Sequence, residues 1–175
     1  PDRSSLSCDH GYVEYQIPVD ARKTALFMWH SSSAAVWQTR WDGGEGYRDI
    51  MLKRGYPVYL WDGPRVGRAN WGCEPNQYEP GEGRDQGNFL SWRFGEGWKN
   101  WYPGIQFPTE EERALDQAMR ARYLEFDTVE NVRLQAHAGA EAADEIGPEV
   151  MLTNSAGGLR AIDEQLHTLG RVTGA

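Results

Sequence analysis

The stretch "EVMLTNSAGGLRA", residues 149–161, decides the fold that we predict for this chain. Its apolar run, Val150-Met151-Leu152, indicates a short buried strand, and this run stops at the polar triplet Thr153-Asn154-Ser155. Small residues follow at once, and the pattern from Ala156 to Leu169 then predicts a helix whose apolar face would carry Leu159, Ile162, Leu166 and Leu169. The segment therefore predicts a sharp strand-to-helix joint with a serine at its apex.

The predicted joint is suited to nucleophilic chemistry. In a parallel sheet, ligands bind at the carboxyl ends of the strands, and Ser155 would project from that edge. The first N–H groups of the following helix point toward the same place and favour negative charge. Ser155 is therefore a candidate nucleophile beside donors for an oxyanion, and the alternative is an ordinary serine at the N-cap of a helix.

The rest of the chain predicts an α/β fold with a largely parallel sheet. Strand patterns occur over 12–17, 24–29 and 57–61, and helix patterns occur over 46–54 and 133–146. The apolar run of 24–29 is nearly continuous, as expected for a strand that is buried on both faces. Because strands and helices alternate along the chain, an α/β architecture with helices flanking the sheet follows.

Residues 72–131 interrupt this alternation. They begin with a polar stretch rich in Gly and Pro and continue with an aromatic cluster: Trp92, Phe94, Trp98, Trp101, Tyr102 and Phe107. We predict an insertion or lid here, between core segments 1–71 and 132–175; the alternative is a satellite subdomain with its own small core.

Composition limits the classes of partner. The chain has 175 residues, enough for one domain with a core, and a net charge of −8, which argues against a nucleic-acid surface. No apolar stretch approaches the ~20 residues that span a bilayer. The cysteine and histidine spacings include no Cys-x-x-Cys or His-x-x-x-His pair, so we expect no metal site.

The two cysteines allow one disulfide. A bond between Cys8 and Cys73 would close a long loop; the alternative is two unrelated buried thiols. The compartment stays open, and secretion is compatible with a bridged pair.

These motifs resemble the α/β-hydrolase family, in particular its esterase and lipase-like branches. The family's nucleophile turn has the pattern Gly-x-Ser-x-Gly, and this chain has Thr153-Asn154-Ser155-Ala156-Gly157. The segment Trp29-His30-Ser31-Ser32 stands where the family has its oxyanion loop. The resemblance implies cleavage of a small carboxylic ester or lactone through an acyl-Ser155 intermediate, without a cofactor. It implies an oxyanion hole formed by the N–H groups of Ser32 and Ala156, and it makes His30, Trp98, Trp101 and Tyr102 candidates for the substrate pocket.

The base and acid that such a serine needs are not supplied at the expected places. The family order is serine, acid, histidine, and only Asp163, Glu164 and His167 follow Ser155. They would lie on the helix after the serine, roughly 10 Å or more along it at ~1.5 Å per residue. We therefore expect an incomplete sheet, with acid and histidine contributed from beyond Ala175 of the same gene product or by a second chain.

A different function remains open. Thr153 and Ser31 stand where the resembled family commonly has glycine, and these departures favour a related fold that does not hydrolyse esters. Such a protein would be a binding module for a small metabolite, a lyase or an isomerase.

Overall fold

The computed structural model describes residues 4–40, 42–75, 81–121 and 128–163. These residues belong to two compact units, one formed by Pro1–Asn76 with Tyr123–Ala175 and the other by Gln77–Arg122. The elements in chain order are β1 (Tyr12–Gln16), β2 (Ala25–Trp29), α1 (Tyr47–Lys53), β3 (Val58–Asp62), α2 (Arg84–Ser91), β4 (Gly95–Gly97), β5 (Asn100–Trp101), α3 (Glu112–Arg120), α4 (Val129–Ile146) and β6 (Glu149–Thr153). A last helix, α5, occupies 156–163 of the described part.

The first unit contains a four-stranded sheet in the order β1-β3-β2-β6. Strand β2 pairs in parallel with both β3 and β6, whereas β1 pairs with β3 in antiparallel fashion. The prediction of a mostly parallel α/β sheet is confirmed. Because β2, β3 and β6 run in the same direction, their carboxyl ends meet at one edge, where Trp29, Asp62 and Thr153 lie.

Both faces of the sheet are covered, which explains the continuous apolar run of β2. Met28 faces a cluster with Val58 and Leu60, against which Met51 and Leu52 of α1 pack. The neighbouring residues Phe27, Trp29 and Trp61 face the other side, together with Ala161 of α5 and the α4 residues Ala138, Ala142 and Ile146. Alternate residues of one strand thus enter different cores, so no polar position interrupts the pattern.

Helix α4 begins at Val129, four residues before the start that its alanine-rich pattern predicts. The side chain of Thr128 caps it by accepting the N–H of Asn131 at 3.2 Å. The first turn, residues 129–132, precedes the alanine-rich run, so that run alone places the start too late. Later in the helix, a Cβ at Gly139 would be 2.7 Å from the Trp29 ring, so a glycine permits this close packing.

The α5 helix and β6 differ from expectation in what they bury. Leu159 and Ile162 are 60% and 62% exposed, whereas Gly157, Arg160 and Ala161 are buried. The prediction that Leu159 and Ile162 lie on a buried apolar face is therefore wrong. Leu166 and Leu169 lie outside the described residues. The helix approaches the end of β2 so closely that small side chains occupy the contact. In β6, Val150 is 55% exposed, and among the described strands β6 lies at the edge of the sheet.

The Cys8–Cys73 disulfide is present, as predicted, with the Cα atoms 5.1 Å apart. The neighbouring Asp9 accepts two hydrogen bonds from Arg65, at 2.7 and 2.8 Å, and one from the Cys73 N–H at 3.2 Å. Arg65 also donates to the Asn131 side chain at 2.7 Å. A covalent bond and a bidentate ion pair therefore tie the segment before β1 to the chain after β3 and to the start of α4. The disulfide is compatible with secretion.

The second unit has a core of its own. It contains α2, α3 and the antiparallel pair β4–β5. Its buried centre is formed by Phe89, Leu115 and Met119, with Phe94, Trp101 and Phe107 packed around them. Much of the aromatic cluster in the sequence is thus the core of this unit. Of the helices in the described part of the chain, not one is both long and apolar enough to cross a membrane.

Candidate functional site

The joint between β6 and α5 forces Ser155 into a backbone conformation that serine rarely adopts. The Asn154 N–H donates to the Trp29 carbonyl at 3.1 Å, which extends the pairing of β6 with β2 by one residue. The chain then turns at Ser155, whose φ is +53°, and α5 begins at Ala156. A non-glycine residue in this region costs about 1–3 kcal/mol, and such strain is concentrated at functional sites. The Ser155 residue is exposed at the apex of this turn.

The first turn of α5 lies directly against the loop after β2. A Cβ at Gly157 would be 2.7 Å from the Trp29 carbonyl oxygen and 3.3 Å from the Ser31 nitrogen. Position 157 therefore has no space for a side chain. A Cβ at Gly158 would be 3.2 Å from the Thr153 hydroxyl, so Gly158 leaves room for the larger residue at the position where the resembled family has glycine.

The loop after β2 is buried and held from two sides. The carbonyl of Ser31 accepts a hydrogen bond from Arg160 Nη1 of α5 at 3.0 Å. The carboxylate of Asp62, at the end of β3, accepts the Ala34 N–H at 2.7 Å and the Arg68 N–H at 3.0 Å. Asp62 is only 3% exposed, and its two oxygens join the loop after β2 to the loop after β3. The backbone of the loop after β2 is thus held by two side chains that are both buried.

His30 accepts a hydrogen bond from inside this loop. Its Nδ1 atom accepts the Ser32 N–H at 3.0 Å, which assigns the ring proton to Nε2. Burial lowers the pKa of His30, so the ring is neutral at neutral pH. The ring also packs edge-on against Trp37, with centroids 5.6 Å apart. His30 therefore stabilises the loop by accepting the backbone N–H of Ser32.

The structure brings some of the predicted site residues together. Ser155 and Ala156 lie at the same sheet edge as the loop that contains His30 and Ser32, because Gly157 contacts that loop. The Ala156 N–H is the first of its helix and has no carbonyl one turn earlier to bind. In contrast, the Ser32 N–H is directed to His30 Nδ1.

The three aromatic pocket candidates belong to the unit Gln77–Arg122. The Trp101 ring packs 4.8 Å from that of Phe89, in the core of the unit. Trp98 and Tyr102 are 39% and 42% exposed. Trp98 also lines an open cavity of about 320 Å³ in this unit, with Leu115 and Met119 among its other walls.

No histidine in the described part of the chain hydrogen bonds to the Ser155 hydroxyl. His137 lies on α4, 3.6 Å from Glu141, and is exposed. His10 is exposed before β1, where it lines an open cleft beside the end of α4. Asp163 is half-buried at the end of the described part of α5, and Glu164 and His167 lie outside the described residues.

Two structurally important residues escape sequence reasoning. In the sequence, Asp62 looks like an ordinary turn residue. Arg160 looks like a solvent-exposed residue of a helix. A signal for Arg160 exists in retrospect: it falls next to Ala161 and three residues after Gly157, on the small-residue face of α5. Within the ranges that the structure describes, no group of three or more His, Cys, Asp or Glu residues is arranged to hold a metal ion.

The sequence matches no known protein-family profile and no curated protein. The fold, however, is similar to that of a solved structure described as a novel bacterial esterase, with a TM-score of 0.77 and 20% sequence identity. The match covers 93% of this chain and 55% of the esterase, so the chain spans about half the length of that protein. At this level of identity the similarity shows a shared fold alone.

Proposed function

We propose that this chain carries the nucleophile of a serine hydrolase that cleaves a small carboxylic ester or lactone. The observation that carries the proposal is the strained, exposed Ser155 at φ +53°, between the end of β6 and the first turn of α5. The Ser155 Oγ attacks the carbonyl carbon and a base takes its proton. The tetrahedral intermediate collapses with loss of the alcohol, which receives the proton, and water then releases the acyl group from Ser155.

The oxyanion of that intermediate would be stabilised at the start of α5. The helix sets the direction of the Ala156 N–H, and the partial positive charge at the helix N-terminus stabilises negative charge nearby. The Ser32 N–H is the second proposed donor. Because it is bound to His30 Nδ1 at 3.0 Å, it has to be shared with, or transferred to, the stronger acceptor that forms during the reaction.

The base and the acid would come from outside the described residues, either from chain beyond Ala175 of the same gene product or from a second chain. Two observations support this. His10 and His137 are exposed and make no hydrogen bond with Ser155, and His30 Nδ1 is occupied by Ser32. In addition, the esterase of similar fold is nearly twice as long as the matched region.

The test is labelling of the full-length gene product with a fluorophosphonate, which forms a phosphorus–oxygen bond to an activated serine and releases fluoride. We expect one adduct, mapped to Ser155 by mass spectrometry, and none in the Ser155→Ala variant. His10→Asn and His137→Asn are matched controls, and both are expected to react at the rate of the parent protein. Hydrolysis of p-nitrophenyl acetate is expected to follow the same pattern.

A folded, full-length protein that gives no adduct would favour the alternative: a binding module, lyase or isomerase that retains the fold. The departures at Thr153 and Ser31 support that alternative. The assignment of Trp98, Trp101 and Tyr102 to a substrate pocket also stays a prediction. Its test is the effect of Trp98→Ala and Tyr102→Ala on KM across esters of increasing acyl length.

A further inference from the structure

Arg160 is the most unusual charged residue of the site. It lies on α5, five residues after Ser155, and is only 1% exposed. Arginine is almost never buried this completely without compensation, because removing its charge from water is costly. Its Nη1 atom donates to the carbonyl oxygen of Ser31 at 3.0 Å. A buried cation is thus hydrogen bonded to the backbone of the loop that would hold the oxyanion.

The carbonyl that Arg160 binds belongs to the same peptide group as the Ser32 N–H. A peptide group is planar, and in the trans form its C=O and N–H point in opposite directions. Fixing the direction of the Ser31 carbonyl therefore fixes the direction of the Ser32 N–H. His30 accepts that N–H at the other end of the plane, so the peptide is held at both ends.

We propose that Arg160 is a positioning residue that orients and polarises the Ser31–Ser32 peptide for oxyanion stabilisation; this inference rests on the proposed hydrolase function. A cation at the carbonyl draws electron density from the peptide and makes its N–H a stronger donor. The hydrogen bond lies inside the protein, where it is electrostatically stronger than in water, and an N–H strengthened in this way stabilises the negative charge that develops beyond it.

The position of Arg160 also couples the two halves of the site. Helix α5 supplies the Ala156 N–H and Arg160, and Ser155 directly precedes its first residue. The hydrogen bond to Ser31 attaches the second donor to that same element, over a sequence separation of 129 residues. The nucleophile and the two proposed donors are thereby kept in a constant relation, which pre-organised catalysis requires.

The experiment compares Arg160→Met, which keeps the buried volume without the cation, with Arg160→Lys, which keeps a cation and a donor. Leu159→Ala is the matched control, because Leu159 is the preceding residue of α5 and is 60% exposed. Each full-length protein is assayed for kcat and KM with p-nitrophenyl acetate, for the rate of fluorophosphonate labelling and for Tm.

We expect Arg160→Met to lower both kcat and the labelling rate by about tenfold or more with KM unchanged, a smaller loss than removal of a whole oxyanion donor. Arg160→Lys should recover part of the rate, and Leu159→Ala should match the parent.

The outcomes separate this inference from the proposed function. A parent protein that is not labelled at Ser155 overturns both. If the parent is labelled and folded Arg160→Met reacts within twofold of it, or if Arg160→Lys is no faster than Arg160→Met, only the positioning role is overturned. If Arg160→Met does not fold, Arg160→Gln replaces it, because glutamine keeps an N–H donor without the charge. Equal rates for the Gln, Lys and parent proteins would then overturn the inference.

Discussion

The backbone of Gly157 lies against the carbonyl oxygen of Trp29, so closely that a Cβ at position 157 would be 2.7 Å from that atom. This contact joins the first turn of α5 to the end of β2 and sets how near Ser155 is to the loop after β2. Because both partners are backbone, neither can rotate away.

We predict that Gly157→Ala destabilises the protein, whereas Gly158→Ala does not. The added methyl at 157 forces the helix away from the strand, and overpacking of this kind costs about 1–3 kcal/mol. A methyl at 158 meets only the Thr153 side chain, whose nearest atom is the hydroxyl oxygen at 3.2 Å, and this hydroxyl can rotate away. Alanine is also the better helix former. Urea unfolding of both variants measures the difference. Equal free energies of unfolding for the two variants would contradict the prediction that the contact at position 157 leaves no room for a methyl group.

The strained conformation of Ser155 predicts opposite changes in stability and activity. Ser155→Gly removes the cost of the positive φ and is expected to raise the free energy of unfolding by about 1 kcal/mol. Ser155→Ala keeps a Cβ and should leave the free energy of unfolding nearly unchanged. Neither variant should react with a fluorophosphonate. Thermal or urea unfolding checks the ranking, which would be wrong if the glycine variant were the less stable of the two.

Asp62 is expected to be essential for the loop after β2. In Asp62→Asn, the new NH₂ group would face one of the two backbone N–H donors, those of Ala34 and Arg68, that the carboxylate now accepts. A buried donor left unsatisfied costs about 1–3 kcal/mol, so the variant should be less stable and slower to label at Ser155. The exposed Asp20→Asn is the control, and it should match the parent in both measurements.

The ion pair between Asp9 and Arg65 predicts a pH dependence. The hydrogen bond from Arg65 is the main cause that lowers the pKa of Asp9 below its ordinary value of 3.8. A lowered folded-state pKa means that the stabilisation is fully present above the unfolded value and is lost as pH falls through the folded value. The loss of stability in Asp9→Asn should thus be largest near neutral pH and shrink below about pH 4. Urea unfolding at a series of pH values tests this; a pH-independent difference would contradict it.

The disulfide should contribute strongly to stability. Cys8 and Cys73 are 65 residues apart, and cross-linking a loop of that length is worth about 4 kcal/mol in the chain-entropy model. Replacing both with serine should lower the free energy of unfolding by about that amount. A reducing agent should destabilise the parent but leave the double variant unaffected, and sensitivity of both proteins to the reductant would point to a cause other than the bond.

Much of the fold is determined by local sequence. The apolar runs of 24–29 and 57–61 locate β2 and β3 to within one residue, because a strand buried on both faces needs a continuous apolar run. Alternation locates β1, and the run 150–152 locates β6, equally closely. The small residues after Ser155 predict the sharp joint, since only such residues fit where a helix starts against a strand. The helix pattern of α4 is equally plain, apart from the first turn, which precedes its alanine-rich run.

Other features were decided only by the tertiary structure. The aromatic residues around Trp101 form the core of their own unit. Whether they do so depends on which other residues the fold packs against them. The burial of Arg160, the two bonds of Asp62 and the attachment of the Ser32 N–H to His30 likewise depend on groups far apart in sequence. Local periodicity carries no information on the direction in which a loop N–H points. That direction is set by the acceptors that the packed sheet and helices bring to it.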